Sequence, residues 1–340
     1  MKDYMKAAIY QGKESIEIRQ LPIPELGDYD VLIQNLYSSI CGTDVAVFSH
    51  GPDTGHRITV GKEFGHETVS RVAAVGKKVT EFKTGDRVYP YPLFATGDTS
   101  RAGTIGAFSE YIKVPNARKN HSLYFVDEQL PDKEACLIEP FTIGCRAARR
   151  ARPQSGENFA VFGCGTIGLS CAIALQYFGA GKVMICDISD FRLNIAKELG
   201  FEVCNTAKSD FAGEAAEYFG TAHSLKGMTA DIDGFVDASG ADEIFSMFMD
   251  LGKIESRLVS VAVNKNLRQL DLIHLTYSQK SIIGSGGYAP EDVADVMEIM
   301  KSGKWDIQKI ITHEFALDEL DTAIRTAGNT DQALNVVIKF

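Results

Sequence analysis

The stretch NFAVFGCGTIGLSCAIALQYFGA, residues 158–180, constrains the fold of this chain more than any other segment. It opens with a short, continuously apolar run, passes through glycines spaced G-x-G-x-x-G, and continues with helical periodicity. That order predicts a buried strand, a tight turn and a helix. Gly163 permits the turn, Gly165 lets the backbone approach a pyrophosphate, and Gly168 lets the helix pack on its strand.

The rest of the chain shows two different patterns of apolar residues. Between residues 149 and 285, apolar strands such as KVMICDIS and RLVSVAVN alternate with helices such as DFRLNIAKELG, which predicts a parallel sheet covered on both faces. Residues 1–148 instead contain short alternating stretches broken by glycine and proline, which predict a compact, mostly antiparallel β domain. Residues 286–340 add two helices and the strand NVVIKF. The predicted fold class is α/β.

A dinucleotide site follows from the glycine loop and its surroundings. The start of the helix offers free N–H groups and a partial positive charge to phosphates. Asp187 ends the second strand, where a carboxylate binds the ribose hydroxyls and repels a 2′-phosphate. Since no arginine directly follows Asp187, we predict NAD rather than NADP. The alternative is that Asp187 only caps the helix that starts near Asp190.

Composition excludes several classes of protein. A chain of 340 residues is expected to form two domains, and its formal net charge of −10 argues against a nucleic-acid partner. Arg146, Arg149 and Arg150 have helical spacing, which favours a solvated helix face over a phosphate-binding patch. No signal peptide and no run of 18 apolar residues is present, so no membrane partner is expected. The odd number of cysteines, seven, fits reduced thiols in the cytoplasm.

Cys41, in SSICGTDV, could be a packed apolar residue, a nucleophile or a metal ligand. EFGHET supplies His66 and Glu67, and a zinc ion with an open position would stabilise a developing alkoxide. Adjacent residues of a regular strand face opposite ways, so these two can share an ion only from an irregular backbone, which Gly65 permits. Glu139, inside the apolar run CLIEPFTIG, would be costly to bury unpaired but would be satisfied beside zinc.

These motifs together identify a family. With CGTD, GHE, VGKKVTEFKTGDRV, GAFSEYIKVP, EPFTIG, GCGTIG and DISDFRLNIAKELG, the chain resembles the zinc-containing medium-chain alcohol and polyol dehydrogenases over essentially its whole length. The resemblance implies a GroES-like catalytic domain (1–148), a doubly wound Rossmann NAD domain (149–285) and a C-terminal return to the catalytic domain (286–340).

The resemblance also implies roles for individual residues. Cys41, His66 and Glu67 become zinc ligands, and Glu139 binds zinc directly or holds its water. Thr43 lies near the substrate oxygen as the first step of a proton relay. The predicted cofactor-binding residues are Gly163, Gly165, Thr166, Ile167, Gly168, Asp187, Arg192, Ser239 and Val261.

The chain departs from the family at two places that affect the chemistry. PLFATGDTSRAGTIGAF lacks the four cysteines that bind a second, structural zinc in many relatives, so we predict one zinc per chain. Ala46 stands where polyol-specific relatives often have histidine, which leaves the proton path beyond Thr43 open. His50 could take that role, although an exposed loop histidine is the simpler interpretation.

The function implied is NAD-dependent oxidation of a secondary alcohol, such as a polyol, sugar alcohol or vicinal diol, with reversible ketone reduction. An alternative within the family is a threonine-type amino-alcohol dehydrogenase. Alternatives from another class are a zinc-free reductase and a non-catalytic NAD-binding sensor, both expected to lack Cys41 or His66.

Assembly is predicted from SRLVSVAVN, residues 256–264, which resembles the strand at the edge of the family's Rossmann sheet. An apolar edge facing water is an aggregation hazard, and pairing with a second subunit removes it. A homodimer or homotetramer is therefore expected. The alternative is an edge covered by the chain's own segment 265–285.

Overall fold

The computed structural model describes residues 3–52, 54, 58–96 and 104–340. The chain forms two compact units, one of residues 1–139 with 310–340 and the other of residues 140–309. The predicted domain boundaries at residues 148 and 285 stay predictions. Each unit is described by itself below.

The strands are mostly short, which fits the frequent glycine and proline residues that interrupt the apolar stretches of the sequence. They are β1 (Tyr4–Gly12), β2 (Ser15–Pro22), β3 (Val31–Ser39), β4 (Lys62–Glu63), β5 (Glu67–Val75), β6 (Arg87–Pro90), β7 (Tyr111–Val114), β8 (Leu123–Phe125), β9 (Phe159–Phe162), β10 (Val183–Asp187), β11 (Glu202–Asn205), β12 (Thr221–Ser224), β13 (Gly227–Ala230), β14 (Gly234–Asp237), β15 (Arg257–Ser260), β16 (Ser281–Gly284), β17 (Ile311–Ala316) and β18 (Asn335–Lys339).

The helices concentrate in the second half of the chain. They are α1 (Gly42–His50), α2 (Pro92–Ala95), α3 (Asp132–Ala135), α4 (Ile138–Ala151), α5 (Thr166–Tyr177), α6 (Asp190–Glu198), α7 (Phe211–Phe219), α8 (Asp242–Leu251), α9 (Leu272–Tyr277), α10 (Pro290–Lys301) and α11 (Leu320–Ala327), with 3₁₀ turns at Ile307–Ile310 and Leu317–Glu319.

The first unit is built on a mostly antiparallel seven-stranded sheet, as predicted. Its order is β17-β18-β3-β5-β6-β8, with β7 also paired to β3, and a three-stranded sheet β2-β1-β4 accompanies it. Tyr10, Phe64 and Phe108 are fully buried in the core. The rings of Phe64 and Phe108 meet edge to face with centroids 5.0 Å apart.

The second unit is a six-stranded parallel sheet in the order β11-β10-β9-β14-β15-β16. The order runs outward from β9 in one direction and from β14 in the other, which is the doubly wound arrangement with a switch point between those two strands. Ligands bind such sheets at the carboxyl ends of the strands beside the switch point. The predicted α/β fold class is therefore confirmed.

Two expectations about the second unit were wrong. β15, within the predicted edge stretch 256–264, lies between β14 and β16, so segment 265–285 supplies the edge strand itself. Arg146 and Arg149 of α4 do not form a solvated face. Arg149 is ion-paired with Asp292 and Asp295 of α10, and Arg146 is close to Asp292. Both errors concern packing between segments that are distant in sequence.

No helix in the described part of the chain is long and apolar enough to cross a membrane.

Candidate active site

The position of Cys41 is set by the start of α1. The residue lies between the end of β3 and the first turn of that helix, as its N-cap. Its sulfur accepts hydrogen bonds from the Thr43 hydroxyl at 3.1 Å and the Thr43 amide at 3.5 Å. Asp44 completes the cap, because its Oδ2 accepts from the Cys41 amide at 3.0 Å. The CGTD motif is thus a helix start that holds the thiol in place.

His66 and Glu67 follow a residue with unusual backbone geometry. Gly65 has φ +85°, and a Cβ at this position would lie 2.7 Å from the Phe108 ring. Only glycine satisfies both conditions. Regular pairing begins afterwards, since β5 starts at Glu67. The irregular backbone that the sequence required for two neighbouring ligands is present.

The three residues predicted as zinc ligands in CGTD and GHE come together. One donor atom each from Cys41, His66 and Glu67 lies within 4.8 Å of the others. His66 Nε2 and Glu67 Oε1 are 3.8 Å apart, and both side chains are buried. Glu67 Oε2 is buried with no hydrogen-bond partner among the described residues. A buried carboxylate oxygen left in this state is costly unless a cation binds it.

The electrostatics of the cluster also call for a cation. Burial raises the pKa of Cys41 well above its usual value, and the carboxylates of Glu67 and Asp44 add to the shift. Burial raises the pKa of Asp44 to about 6. Burial alone would lower the pKa of His66, but Asp44, Glu139 and Glu67 raise it. A divalent ion would reverse these trends, because a thiolate and carboxylates are stable beside it. The donor set fits zinc.

Glu139 and Thr43 lie close to this cluster in different ways. Glu139 is buried in the first turn of α4, and its carboxylate acts on His66, but it is not one of the three close donors among the described residues. Thr43 contacts the cluster directly through Cys41 Sγ. His50, considered for a proton path, ends α1 at the opposite end from Cys41 and is exposed.

Asp44 is a site residue that the sequence reasoning missed. It is buried, caps Cys41 and raises the pKa of His66. The signal was available, because a buried helix start with aspartate at its third position predicts a reciprocal cap. Its interaction with His66 could not be anticipated, since that depends on how β5 approaches α1.

The glycine loop of the second unit has the geometry that its spacing predicts. A Cβ on Gly168 would lie 1.7 Å from the Gly163 carbonyl oxygen, and one on Gly163 would lie 2.9 Å from the backbone of Ala238 and Ser239. A Cβ on Gly165 would meet only the Arg192 guanidinium, at 3.7 Å. Two glycines therefore permit packing, and Gly165 keeps a surface open at the start of α5, where Thr166 and Ile167 follow.

Asp187 connects this loop to the end of β10. Its carboxylate accepts from the Cys164 amide at 2.6 Å and from the Ile188 and Ser189 amides at 2.7 and 2.9 Å. The side-chain cap of α6 comes instead from Ser189, which accepts from the Arg192 amide. Asp187 thus fixes the turn beside the glycine loop and is more than a helix cap.

The remaining predicted cofactor residues lie at the carboxyl ends of β14 and β15. Ser239 follows β14 and donates through its amide and hydroxyl to Asp237 Oδ1, both at 3.1 Å. Val261 follows β15, and its amide donates to the Asp237 carbonyl. The predicted cofactor residues of the second unit therefore lie at the carboxyl ends of the strands, around the switch point of the sheet.

Comparison with known proteins gives matches in both units of the chain. Residues 27–122 match the family described as alcohol dehydrogenase GroES-like domain, and residues 166–302 match the one described as zinc-binding dehydrogenase. The chain is 28% identical to sorbitol dehydrogenase of Bacillus subtilis, over 95% of this chain and 93% of that protein.

Two further relatives cover nearly the full length. L-threonine 3-dehydrogenase of Escherichia coli is 28% identical, over 97% of this chain and 98% of the other. The crystal structure of 2R,3R-butanediol dehydrogenase from Bacillus subtilis superposes with a TM-score of 0.86 at 26% identity and covers 99% of both chains.

Proposed function

Since the chain belongs to the zinc-containing medium-chain alcohol and polyol dehydrogenases, it is an oxidoreductase acting on CH–OH donors, and we propose that it oxidises a secondary alcohol with NAD. The substrate class proposed is a polyol, sugar alcohol or vicinal diol, with reduction of the matching ketone as the reverse reaction. The observation that carries the proposal is the close approach of Cys41, His66 and Glu67, of which His66 and Glu67 are buried.

This cluster is proposed to hold one catalytic zinc. When bound, the ion supplies Lewis-acid stabilisation of negative charge on the alcohol oxygen. The chain's own residues prepare the site for it. Asp44 holds Cys41 at the start of α1 by accepting from its amide. Gly65, with its positive φ, allows His66 and Glu67 to face the Cys41 thiol together. Glu67 Oε2, which has no hydrogen-bond partner among the described residues, can bind a cation. Glu139, directly or through water, is the proposed fourth contributor.

Thr43 is the proposed first proton acceptor. Its hydroxyl donates to Cys41 Sγ at 3.1 Å, which leaves lone pairs on the oxygen to accept the substrate's proton. As that proton arrives, Thr43 releases its own hydroxyl proton to the next acceptor and remains a neutral hydroxyl. With Ala46 following on α1 and His50 exposed at the far end of the helix, solvent is the proposed next acceptor. The pathway therefore begins at Thr43 and needs no histidine.

The second unit is proposed to bind NAD at the carboxyl ends of β9 and β14, the two strands beside the switch point. The amides at the start of α5 would face the pyrophosphate, and Asp187 would accept hydrogen bonds from the ribose hydroxyls. The carboxylate already orders the glycine loop through the Cys164 amide, so the surface for the cofactor is formed before it binds.

The experiment that tests the function is a substrate panel read at the NADH absorbance band. Purified enzyme with zinc and NAD is offered polyols, vicinal diols and 3-hydroxy amino acids, with Cys41→Ser as the matched inactive control. We expect the highest kcat/KM on a polyol or diol and none above background in Cys41→Ser.

A threonine-type activity is the second candidate, supported by the full-length similarity to threonine 3-dehydrogenase. A highest kcat/KM on 3-hydroxy amino acids would establish that candidate and overturn the polyol proposal. NADH formation at equal rates in Cys41→Ser would overturn the proposed role of the cluster.

Two broader features are proposed as well. All seven cysteines are free, which supports a reducing compartment such as the cytoplasm, testable by cell fractionation. A homodimer or homotetramer is proposed from the exposed apolar surface of the second unit, considered in the Discussion.

A further inference from the structure

We propose that the first unit carries a second binding site, for a small organic carboxylate with a flat apolar part, at the end of β3 remote from Cys41. A cavity of ≈ 400 Å³ lies there. Its lining includes Tyr29, Phe94, Asn116, Arg118, His121 and Ser122, and we call it the distal cavity. None of these residues belongs to the zinc or cofactor sites.

The walls of the distal cavity are flat and apolar. The rings of Phe94 and His121 lie 4.1 Å apart between centroids with their planes inclined by 33°. Tyr29 is half exposed at the rim. Surfaces of this kind favour a planar, apolar ligand group, because aromatic faces bury large area with little loss of side-chain freedom.

The floor of the cavity is a backbone turn whose amides are already used. The Asn116 amide donates to Asp30 Oδ1 at 3.1 Å, the Ala117 amide to the Tyr29 carbonyl at 3.1 Å, and the Arg118 amide to Ser122 Oγ at 2.9 Å. The turn is therefore held in place, and a negatively charged ligand must be bound by side chains.

Arg118 is the side chain that can bind it. A terminal nitrogen of its guanidinium lies 3.2 Å from His121 Nε2. Burial and the positive charge of Arg118 both lower the pKa of His121, which favours a neutral imidazole as the acceptor of this bond. In the described part of the chain, no carboxylate is ion-paired with Arg118.

Glu81 also lies in this region, and its carboxylate accepts from the Lys119 amide at 3.2 Å. Lys78, near the same turn, is ion-paired with Asp28 at 2.8 Å. A second cavity of ≈ 250 Å³ shares Tyr29, Ala117 and Arg118 with the first, so the guanidinium borders both. Because a guanidinium presents parallel N–H donors that match a carboxylate, we infer a carboxylate rather than a neutral ligand.

The distal cavity is far from the chemistry. It adjoins Tyr29 and Asp30, which precede β3, whereas Cys41 follows the other end of this nine-residue strand. At roughly 3.3 Å per residue the two ends are about 30 Å apart. The inference therefore does not depend on the proposed function, and the ligand is expected to bind without competing with the alcohol.

The test uses 4-fluorobenzoate and the full-length enzyme loaded with zinc and NADH. Fluorine NMR line broadening measures its dissociation constant for the wild type and for Arg118→Gln, with 4-fluorobenzamide as the neutral analogue. Arg71→Gln, which removes an exposed arginine paired with Glu128 in the same unit, is the matched control. We expect binding about tenfold or more weaker in Arg118→Gln and unchanged in Arg71→Gln.

Several outcomes would overturn the inference. They are an absence of measurable benzoate binding, equal binding by wild type and Arg118→Gln, equal binding of the benzamide, and displacement of benzoate by the alcohol substrate. Inorganic phosphate binding as tightly as benzoate, again through Arg118, would make the site one for phosphate and overturn the carboxylate assignment. A melting temperature of Arg118→Gln equal to that of the wild type verifies that the variant is folded.

Discussion

At the scale of single residues, the chemistry depends on charges that are unfavourable without a ligand. The pKa of the Cys41 thiol is raised by burial and by two nearby carboxylates, and Glu67 Oε2 is buried with no hydrogen-bond partner in the described part of the chain. Without a cation, the ionised form of each group is unfavourable in this environment. A divalent ion would stabilise both the thiolate and the carboxylate. The residues of this cluster are therefore arranged for a bound metal at some expense to the metal-free chain.

Replacing Cys41 should remove the metal. We expect one zinc per wild-type chain by elemental analysis and well under half of that in Cys41→Ser, because a hydroxyl is a much poorer zinc ligand than a thiolate. Cys171→Ser is the control, since Cys171 is a free, buried thiol that lies in α5. Two zincs per wild-type chain, or full retention in Cys41→Ser, would contradict the prediction.

The cofactor preference should depend on Asp187. We expect kcat/KM for NAD to exceed that for NADP by more than about tenfold, because the carboxylate would face a 2′-phosphate of like charge. Asp187→Ala should narrow the ratio. Asp190→Ala is the control, because Asp190 is exposed on the next turn and bonds Lys208 and Asn205. Equal use of both cofactors by the wild type would show that Asp187 has another role.

At the scale of elements, the junction of β9 and α5 separates packing from binding. Gly168 lies against the Gly163 carbonyl, while Gly165 borders open space. A methyl group added at Gly168 should therefore disturb packing, whereas one added at Gly165 should disturb cofactor binding.

Gly168→Ala should lower the free energy of unfolding by about 1–3 kcal/mol or more, because the helix must move off its strand. Gly165→Ala should leave the melting temperature nearly unchanged and raise KM for NAD, because its Cβ points to the surface the cofactor would use. Thermal unfolding and NAD kinetics on both variants measure this. Equal melting temperatures for the two variants would contradict the packing argument.

A buried lysine connects β16 with the end of α8. Lys280 Nζ donates to the carbonyls of Phe248 and Met249 at 3.1 and 2.6 Å. Burial lowers the pKa of Lys280 to about 8. Between this pH and the ordinary lysine value, the unfolded chain binds more protons than the folded one, so the contribution of Lys280 to stability increases as pH rises across that window.

We therefore expect the melting temperature of the wild type to rise relative to that of Lys280→Met as the pH increases from 7.5 to 10. Lys208→Met is the control, because Lys208 is exposed in an ion pair with Asp190. A difference that stays constant with pH would show that Lys280 is not the titrating group.

At the scale of the whole molecule, an apolar surface is left exposed on the second unit. Leu272 and Ile273 of α9 are 64% and 72% exposed, and Ile282 of the edge strand β16 is 40% exposed. The edge strand also carries unpaired backbone groups on its outer side. Pairing with the same surface of a second copy would cover both features around a two-fold axis.

We expect light scattering at micromolar concentration to give at least twice the 37.1 kDa of one chain. Ile273→Asp should reduce that mass toward the monomer, because a charge in the interface is costly to bury. Met228→Asp, an equally exposed apolar position on β13, should leave the mass unchanged. A monomeric wild type would exclude this interface.

The sequence alone predicts the parallel and antiparallel parts of the fold and the glycine loop, and with the family resemblance it also predicts Cys41, His66 and Glu67 as close ligands. Each of these depends on local rules: apolar periodicity, the steric need for glycine, and the donor chemistry of CGTD and GHE. The turn at Gly65, with φ +85°, could be inferred because two adjacent ligands cannot face one ion from a regular strand.

Three features could be learned only from the packed fold: which strand lies at the edge of the sheet, which residues Arg146 and Arg149 contact, and that Asp44 acts on His66. β15 and β16 read alike as short apolar strands, and their order in the sheet depends on packing across the whole unit. Arg149 meets Asp292 and Asp295, which lie far along the chain. Contacts of this kind are determined by how distant elements pack together, and local patterning carries no record of that packing.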